Sequence, residues 1–154
     1  LTHEWLEKAI KWKLGEGDAP GKPTNEGVIN AVDAFREWVK ENDVKWISSE
    51  EKLYNRDHKY AGTVDAIAEI NGEYCVIDWK TSRAIYPEYY LQVAAYAKAV
   101  EEMKGRPVDA TYILRCDKVT GMFEAARSTD PELSENFKAF LSAKFLFHRM
   151  KELK

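Results

Sequence analysis

Apolar positions change their period several times along this chain, and each change marks an expected element. From Thr2 to Leu14 they fall at Trp5, Leu6, Ala9, Ile10 and Leu14, which predicts an amphipathic helix. Gly15 to Gly27 is rich in Gly, Pro and charge and predicts a mobile loop. A second helix is expected from about Glu26 to Glu41, with Val28, Ile29, Val32, Phe35, Trp38 and Val39 along one side. Lys45 to Tyr54 reads as a strand. Two further strand-like runs, Ala61 to Ile70 and Glu73 to Thr81, are joined by Asn71-Gly72, and both turn residues tolerate the positive φ of a type I′ hairpin turn. Beyond the hairpin, Pro87 opens a helix to about Lys104, Gly105-Arg106-Pro107 stops it, and Val108 to Cys116 reads as a buried strand. A last strand spans about Met122 to Ala126. Asp130 as N-cap and Pro131 as first helical residue then open a helix that runs to near the C-terminus.

The two-residue turn fixes the hairpin register and sets Asp65 directly opposite Asp78. Val64, Ala66, Ala68 and Ile70 should then face a core together with Trp79, Ile77 and Cys75, while Asp65, Asp78 and Lys80 project from the other face. Like charges directly opposite one another repel, and nothing about folding calls for them here. A hard divalent cation such as Mg²⁺ would resolve the repulsion, and a neighbouring Lys can orient or help deprotonate one of its waters. The plainer alternative is a solvated, exposed pair. Ile67 and Val76 share that face and partly cover it, which favours a site over bare surface.

Gly62-Thr63-Val64-Asp65, then Ile77-Asp78-Trp79-Lys80-Thr81-Ser82, then Gln92 with Tyr96 four residues later resemble the ordered motifs of the PD-(D/E)XK nuclease superfamily. More narrowly, they are similar to its RecB-like and phage-exonuclease branch. An Asp-x-Lys tripeptide alone occurs by chance in many proteins; three motifs in order are specific, and the resemblance runs from the N-terminus to about Tyr96. It implies an α/β fold with a restriction-endonuclease-like core: a central mixed β-sheet flanked by helices, with the hairpin at its centre. The alternation of strands and long helices alone suggests only α/β. One domain over residues 1–154 is expected, a length that buries a single core without staples.

The resemblance also distributes roles. Glu50, three residues before the apolar Leu53, would complete the acidic cluster, with Glu51 taking its place if the register slips by one. His3 on the first helix would be a metal-ligating imidazole, with His58 ranked second, and an imidazole ligand would admit Mn²⁺ alongside Mg²⁺. The backbone carbonyl of Trp79 would add a ligand. Gln92 and Tyr96 share a helix face; the resemblance points Gln92 toward Lys80 or the DNA and has Tyr96 support it, whereas the pattern alone would make Tyr96 core and Gln92 surface. Trp5, Trp12, Trp38, Trp46 and Trp79 are expected to pack rather than to stack on bases.

The activity implied is a divalent-metal-dependent DNA nuclease that hydrolyses phosphodiester bonds, an exonuclease before an endonuclease, acting on single- or double-stranded DNA in repair or recombination. A homo-oligomer or a larger recombination complex is the implied assembly. Rival readings are a catalytically inactive nucleic-acid-binding module of the same fold and an RNase using the same site. The formal net charge of −3 gives no global basic signature, so nucleic-acid contact must be local. Lys52, Arg56, His58 and Lys59, then Lys80 and Arg83, then Arg115 and Lys118 are the candidate patches. Cys75 and Cys116 are isolated on expected strands, read as buried thiols, and are too few for the four-cysteine iron–sulfur cluster of some RecB-like nucleases. No apolar run is long enough to span a bilayer and no secretory signal is visible, so a cytoplasmic location, in the nucleoid or a phage-infected cell, is expected. With Leu rather than Met at position 1, residues upstream are expected to have been removed or to belong to a larger protein.

Overall fold

A computed structural model describes residues 2–117 and 119–154. The described residues form helices α1 (Thr2–Lys13), α2 (Glu26–Glu41), α3 (Pro87–Lys104) and α4 (Glu132–Glu152). Strands β1 (Val44–Asn55), β2 (Tyr60–Ile70), β3 (Glu73–Lys80), β4 (Ala110–Cys116) and β5 (Phe123–Ser128) make one sheet in chain order. The β3–β4 pair is parallel and the other pairs are antiparallel. A parallel pair needs a crossover, and α3 supplies it. The protein is therefore an α/β fold with a mixed central sheet flanked by helices, and β3 lies at its centre.

Each face of the sheet is covered by a different set of helices. On one, Leu6 and Ile10 of α1 and Phe35 and Trp38 of α2 pack on Ala66, Ala68, Ile70, Cys75, Ile77 and Trp79. On the other, Ala97, Ala99 and Val100 of α3 pack on Leu53, Ile67, Tyr74 and Val76. Helix α4 lies outside against α3, with Phe140 edge-on to Tyr60 of β2. Because β3 is covered on both sides, its interior residues are buried from Tyr74 through Trp79, and Asp78 is buried with them at 4% exposure. Asn71 and Gly72 adopt φ of 53° and 83°, the left-handed pair that a type I′ turn needs.

Three local expectations are corrected. Val64 packs with Leu53, Ile67 and Val76 on the α3 side, not beside Ala66 and Ala68. The side-chain alternation changes phase between Val64 and Ala66, where the β2–β3 ladder ends at Ala66↔Ile77. Trp12 is 47% exposed rather than packed, with Lys13 Nζ 5.3 Å from its ring centroid. The N-cap of α4 is Pro131, one residue later than expected; Asp130 Oδ1 still accepts from the Ser134 amide at 2.9 Å and hydroxyl at 2.7 Å.

Candidate active site

Asp65 and Asp78 lie one step beyond the last pair of the β2–β3 ladder, in the register that the turn dictates. There the ladder gives way to side-chain bonding: the Trp79 amide donates to Asp65 Oδ2 at 2.9 Å. The two carboxyls face each other across the end of the ladder. Burial, then the adjacent Asp78, push the Asp65 carboxyl up to about 8, although the Trp79 amide and Lys80 oppose the shift. At neutral pH the pair thus retains a proton.

On the α3 side, a hydrogen-bonded chain leads away from the pair. Lys80 Nζ lies 3.0 Å from Asp78 Oδ2 and donates to Gln92 Oε1 at 3.0 Å. Gln92 Nε2 in turn donates to Tyr96 Oη at 2.8 Å. The Tyr96 ring lies directly over β2 because residue 62 is glycine: a Cβ there would sit 2.7 Å from Tyr96 Cε1. Lys80 also stands 4.5 Å from the ring centroid of Tyr89, one turn before Gln92. Despite its nearness to Lys80, Asp78 Oδ2 is buried with no aligned hydrogen-bond donor.

The α1 side is built differently. His3 Nε2 is 2.7 Å from the Trp79 carbonyl oxygen and 4.0 Å from Asp65 Oδ2. Three of the expected ligand groups, His3, Asp65 and the Trp79 carbonyl, therefore converge with Asp78 beside them. Glu50 occupies the β1 position between Ser49 and Glu51, whose partners Ala66 and Val64 flank Asp65, and it has a φ of 51°. Its neighbours are on α1: the adjacent Glu7 carboxyl pushes that of Glu50 up, and Lys11 Nζ is 3.9 Å away. Glu7 in turn holds Lys11 Nζ at 2.6 Å. Glu51 faces α3 and pairs with Lys104 at 2.7 Å. His58 is not at the site; it packs edge-on to Phe137 of α4.

Among the described residues, no group of three or more His, Cys, Asp or Glu side chains is placed to hold a metal ion. The His3 imidazole and the Trp79 carbonyl instead satisfy each other. Yet the donor set suits a cation: two carboxyls meet in a largely covered site where the Lys80 ammonium, 3.0 Å from Asp78 Oδ2, does not offset the burial that pushes the Asp65 carboxyl up.

A family profile described as the PD-(D/E)XK nuclease superfamily matches residues 25–151. The chain belongs to that superfamily. This PD-(D/E)XK nuclease is also similar to mitochondrial genome maintenance exonuclease 1 of Mus musculus, at 48% identity over 27% of this chain and 14% of that protein. For the Xenopus tropicalis counterpart the identity is 39%, over 34% of this chain and 17% of that protein. The matched stretch is a small part of either relative. The crystal structure of an assigned exonuclease from Eubacterium rectale superposes with a TM-score of 0.63 at 13% identity, covering 98% of this chain and 66% of that one. At that identity the likeness is one of fold. Members of this nuclease superfamily generally use divalent metal ions.

Several residues at or beside the nuclease site were not anticipated. Glu7 and Lys11 follow His3 at four-residue steps on one helix face, a spacing visible in the sequence once His3 is chosen. Tyr89 lies three residues before Gln92 and was equally accessible. Of the expected basic patches, Arg115 is withdrawn: it is buried, pairs with Glu124 and donates to the Ser82 carbonyl at 2.9 Å. Lys118 lies outside the described residues. Lys52, Arg56, Lys59 and Arg83 are exposed or at the surface, Arg56 with its guanidinium 5.2 Å from the Tyr54 ring centroid. The two thiols are free and buried, and burial pushes Cys75 up to about 12. No helix among the described residues is long and apolar enough to cross a membrane.

Proposed function

We propose that this protein is a divalent-metal-dependent deoxyribonuclease of the RecB-like type, an exonuclease, with Asp65, Asp78 and Lys80 at its centre. The observation that carries the proposal is the largely buried Asp65–Asp78 pair, with the Asp65 carboxyl pushed up, beside an ammonium that lies 3.0 Å from Asp78 and is held by a side-chain relay. DNA as the substrate class is supported by the names of the mitochondrial relatives. Asp65, Asp78, the Trp79 carbonyl and His3 would hold the cation, Mg²⁺ or Mn²⁺ by the mixed oxygen and imidazole donors. When bound, such an ion supplies hydroxide near neutral pH and offsets charge at a scissile phosphate.

Each residue then has a defined task. On becoming a ligand Asp65 would give up the proton that the pair retains, so cation binding should release protons. His3 carries its Nε2 proton toward the Trp79 carbonyl; ligation requires the other neutral tautomer, which frees both the nitrogen and the carbonyl oxygen. Lys80 orients the attacking water or faces the charge that develops on the phosphate, and Gln92 and Tyr96 fix its ammonium in place. Glu50, held by Glu7 and Lys11, stands at the rim of this set as an outer carboxylate. Incubation with end-labelled linear and circular DNA, in Mg²⁺, Mn²⁺ or EDTA, tests activity, metal and end requirement together. Cleavage of linear DNA alone, abolished by EDTA, is expected. Cleavage of circular DNA would replace the exonuclease assignment with an endonuclease, and cleavage undiminished in EDTA would remove the metal.

A further inference from the structure

Helix α1 carries three separate stripes. Thr2, Leu6 and Ile10 are buried, and His3, Glu7 and Lys11 face the acidic residues of β1 and β2. Trp5, Ala9 and Trp12 form the third, and this one borders a groove of about 460 Å³. Trp5, Trp12 and Trp46 supply aromatic walls, Phe35 lies at the base, and Lys13, Arg36 and Lys40 add positive charge. Among the described residues, no acidic one lines it. Trp5 Nε1 donates to the Gly21 carbonyl at 2.8 Å, so the loop after α1 is tied down at the rim.

The charge of this groove runs against that of the chain, which is −3 overall. Arg36 lies 5.3 Å from the Trp5 ring centroid and Lys13 the same distance from that of Trp12, and neither pairs with a carboxylate among the described residues. Lys40 has only the exposed Glu37, at 3.5 Å. Exposed indole beside unneutralised cations matches unstacked bases on a phosphate backbone: the ring stacks on a base and the cations meet the phosphates. Duplex DNA keeps its base faces stacked inside and cannot offer them to Trp12. The volume is also sufficient for a base, and a purely apolar ligand would gain nothing from the three cations.

We propose that this groove binds single-stranded nucleic acid, with a base stacked against Trp12 and phosphates on Lys13, Arg36 and Lys40. The inference rests on the nuclease assignment and extends its substrate path along α1. Trp12 is nine residues from His3, roughly 13 Å along the helix axis at the α-helical rise, so a strand held in the groove reaches the aspartate pair within a few nucleotides. The groove thus favours frayed or single-stranded ends over intact duplex.

The test is binding of a fluorescein-labelled oligothymidylate, and of a blunt duplex of equal length, to the protein in EDTA. Wild type should bind the oligothymidylate more tightly than the duplex, with quenching of its tryptophan fluorescence. Trp12→Ala and Arg36→Glu, both at exposed positions, should each weaken oligothymidylate binding by roughly 10-fold, the scale of losing one stacked base. Unchanged affinity in both variants, or equal losses for duplex and single strand, would overturn the proposal. Cleavage by wild type in Mg²⁺, measured alongside, separates the two claims. Cleavage with unaltered binding by the variants sinks the groove alone; binding lost in the variants but no cleavage by wild type sinks the nuclease assignment and keeps the groove.

Discussion

Helix α3 reaches the aspartate pair through partnered, largely covered side chains, whereas α1 reaches it through exposed ones. The Lys80 side chain is 20% exposed and its chain of contacts ends on Tyr96, pressed against Gly62. The His3 side chain is 47% exposed, and its bond to the Trp79 carbonyl would be given up on ligation. The difference sorts the two sides by task. A group that must hold one position during chemistry gains from rigid support, because pre-organisation removes reorganisation from the barrier. A group that must admit and release an ion gains from access to solvent.

Removing the shared element should have the largest effect. Asp78→Ala is expected to abolish hydrolysis while the metal-free protein keeps its fold and a melting temperature close to wild type, since easing the burial of two adjacent carboxyls offsets the lost contact with Lys80. A strongly lowered melting temperature in EDTA would make the pair structural instead. Next come the two sides taken separately. Gln92→Ala should lower turnover roughly 10-fold or more with Mn²⁺ affinity unchanged, and His3→Ala should weaken Mn²⁺ binding on a similar scale and recover turnover at high Mn²⁺. The contrast between α1 and α3 dissolves if both variants shift the same parameter.

Gly62→Ala sharpens the α3 half of the comparison without touching a polar atom. Its new Cβ would meet the Tyr96 ring at 2.7 Å, and the overpacking should cost about 1–3 kcal/mol in denaturant unfolding. No loss would mean that Tyr96 moves freely. A pH dependence of the metal-free protein tests the aspartate pair itself. Asp65 is held at about 8 in the fold against a reference of 3.8, so the folded state binds a proton in that interval that the unfolded state does not. Stability in EDTA should therefore fall as pH rises from about 4 to about 8. Asp65→Asn should flatten that slope, and an unchanged slope would assign it elsewhere.

What could be read in the sequence follows from which signals are local. Asn71-Gly72 set the hairpin register without reference to the rest of the chain, and the four-residue spacing put Gln92 and Tyr96 on one helix face. Glu50 could not be read in the same way. The β1–β2 register shifts between Trp46 and Ser48, and Glu50 takes a left-handed φ, so counting from Leu53 gives its place in the strand but not the helix it meets. Val64 was misplaced because the hairpin register reports only the β2–β3 ladder, which stops at Ala66, while Val64 is paired to β1 alone, opposite Glu51. Trp12 falls at an apolar position of a helical pattern, and its exposure depends on where the loop after α1 settles, which no periodicity reports.

The division of labour around the aspartate pair is tested most directly by titrating Mn²⁺ calorimetrically into Lys80→Ala and Asp65→Ala in parallel, with turnover measured on the same preparations. An ammonium is no ligand, so Lys80→Ala should bind Mn²⁺ at least as well as wild type while its turnover falls roughly 10²-fold or more. Asp65→Ala should lose binding and turnover together. Hydrolysis of DNA by Lys80→Ala at the wild-type rate would contradict the account, because the hairpin would then not be the site of the chemistry.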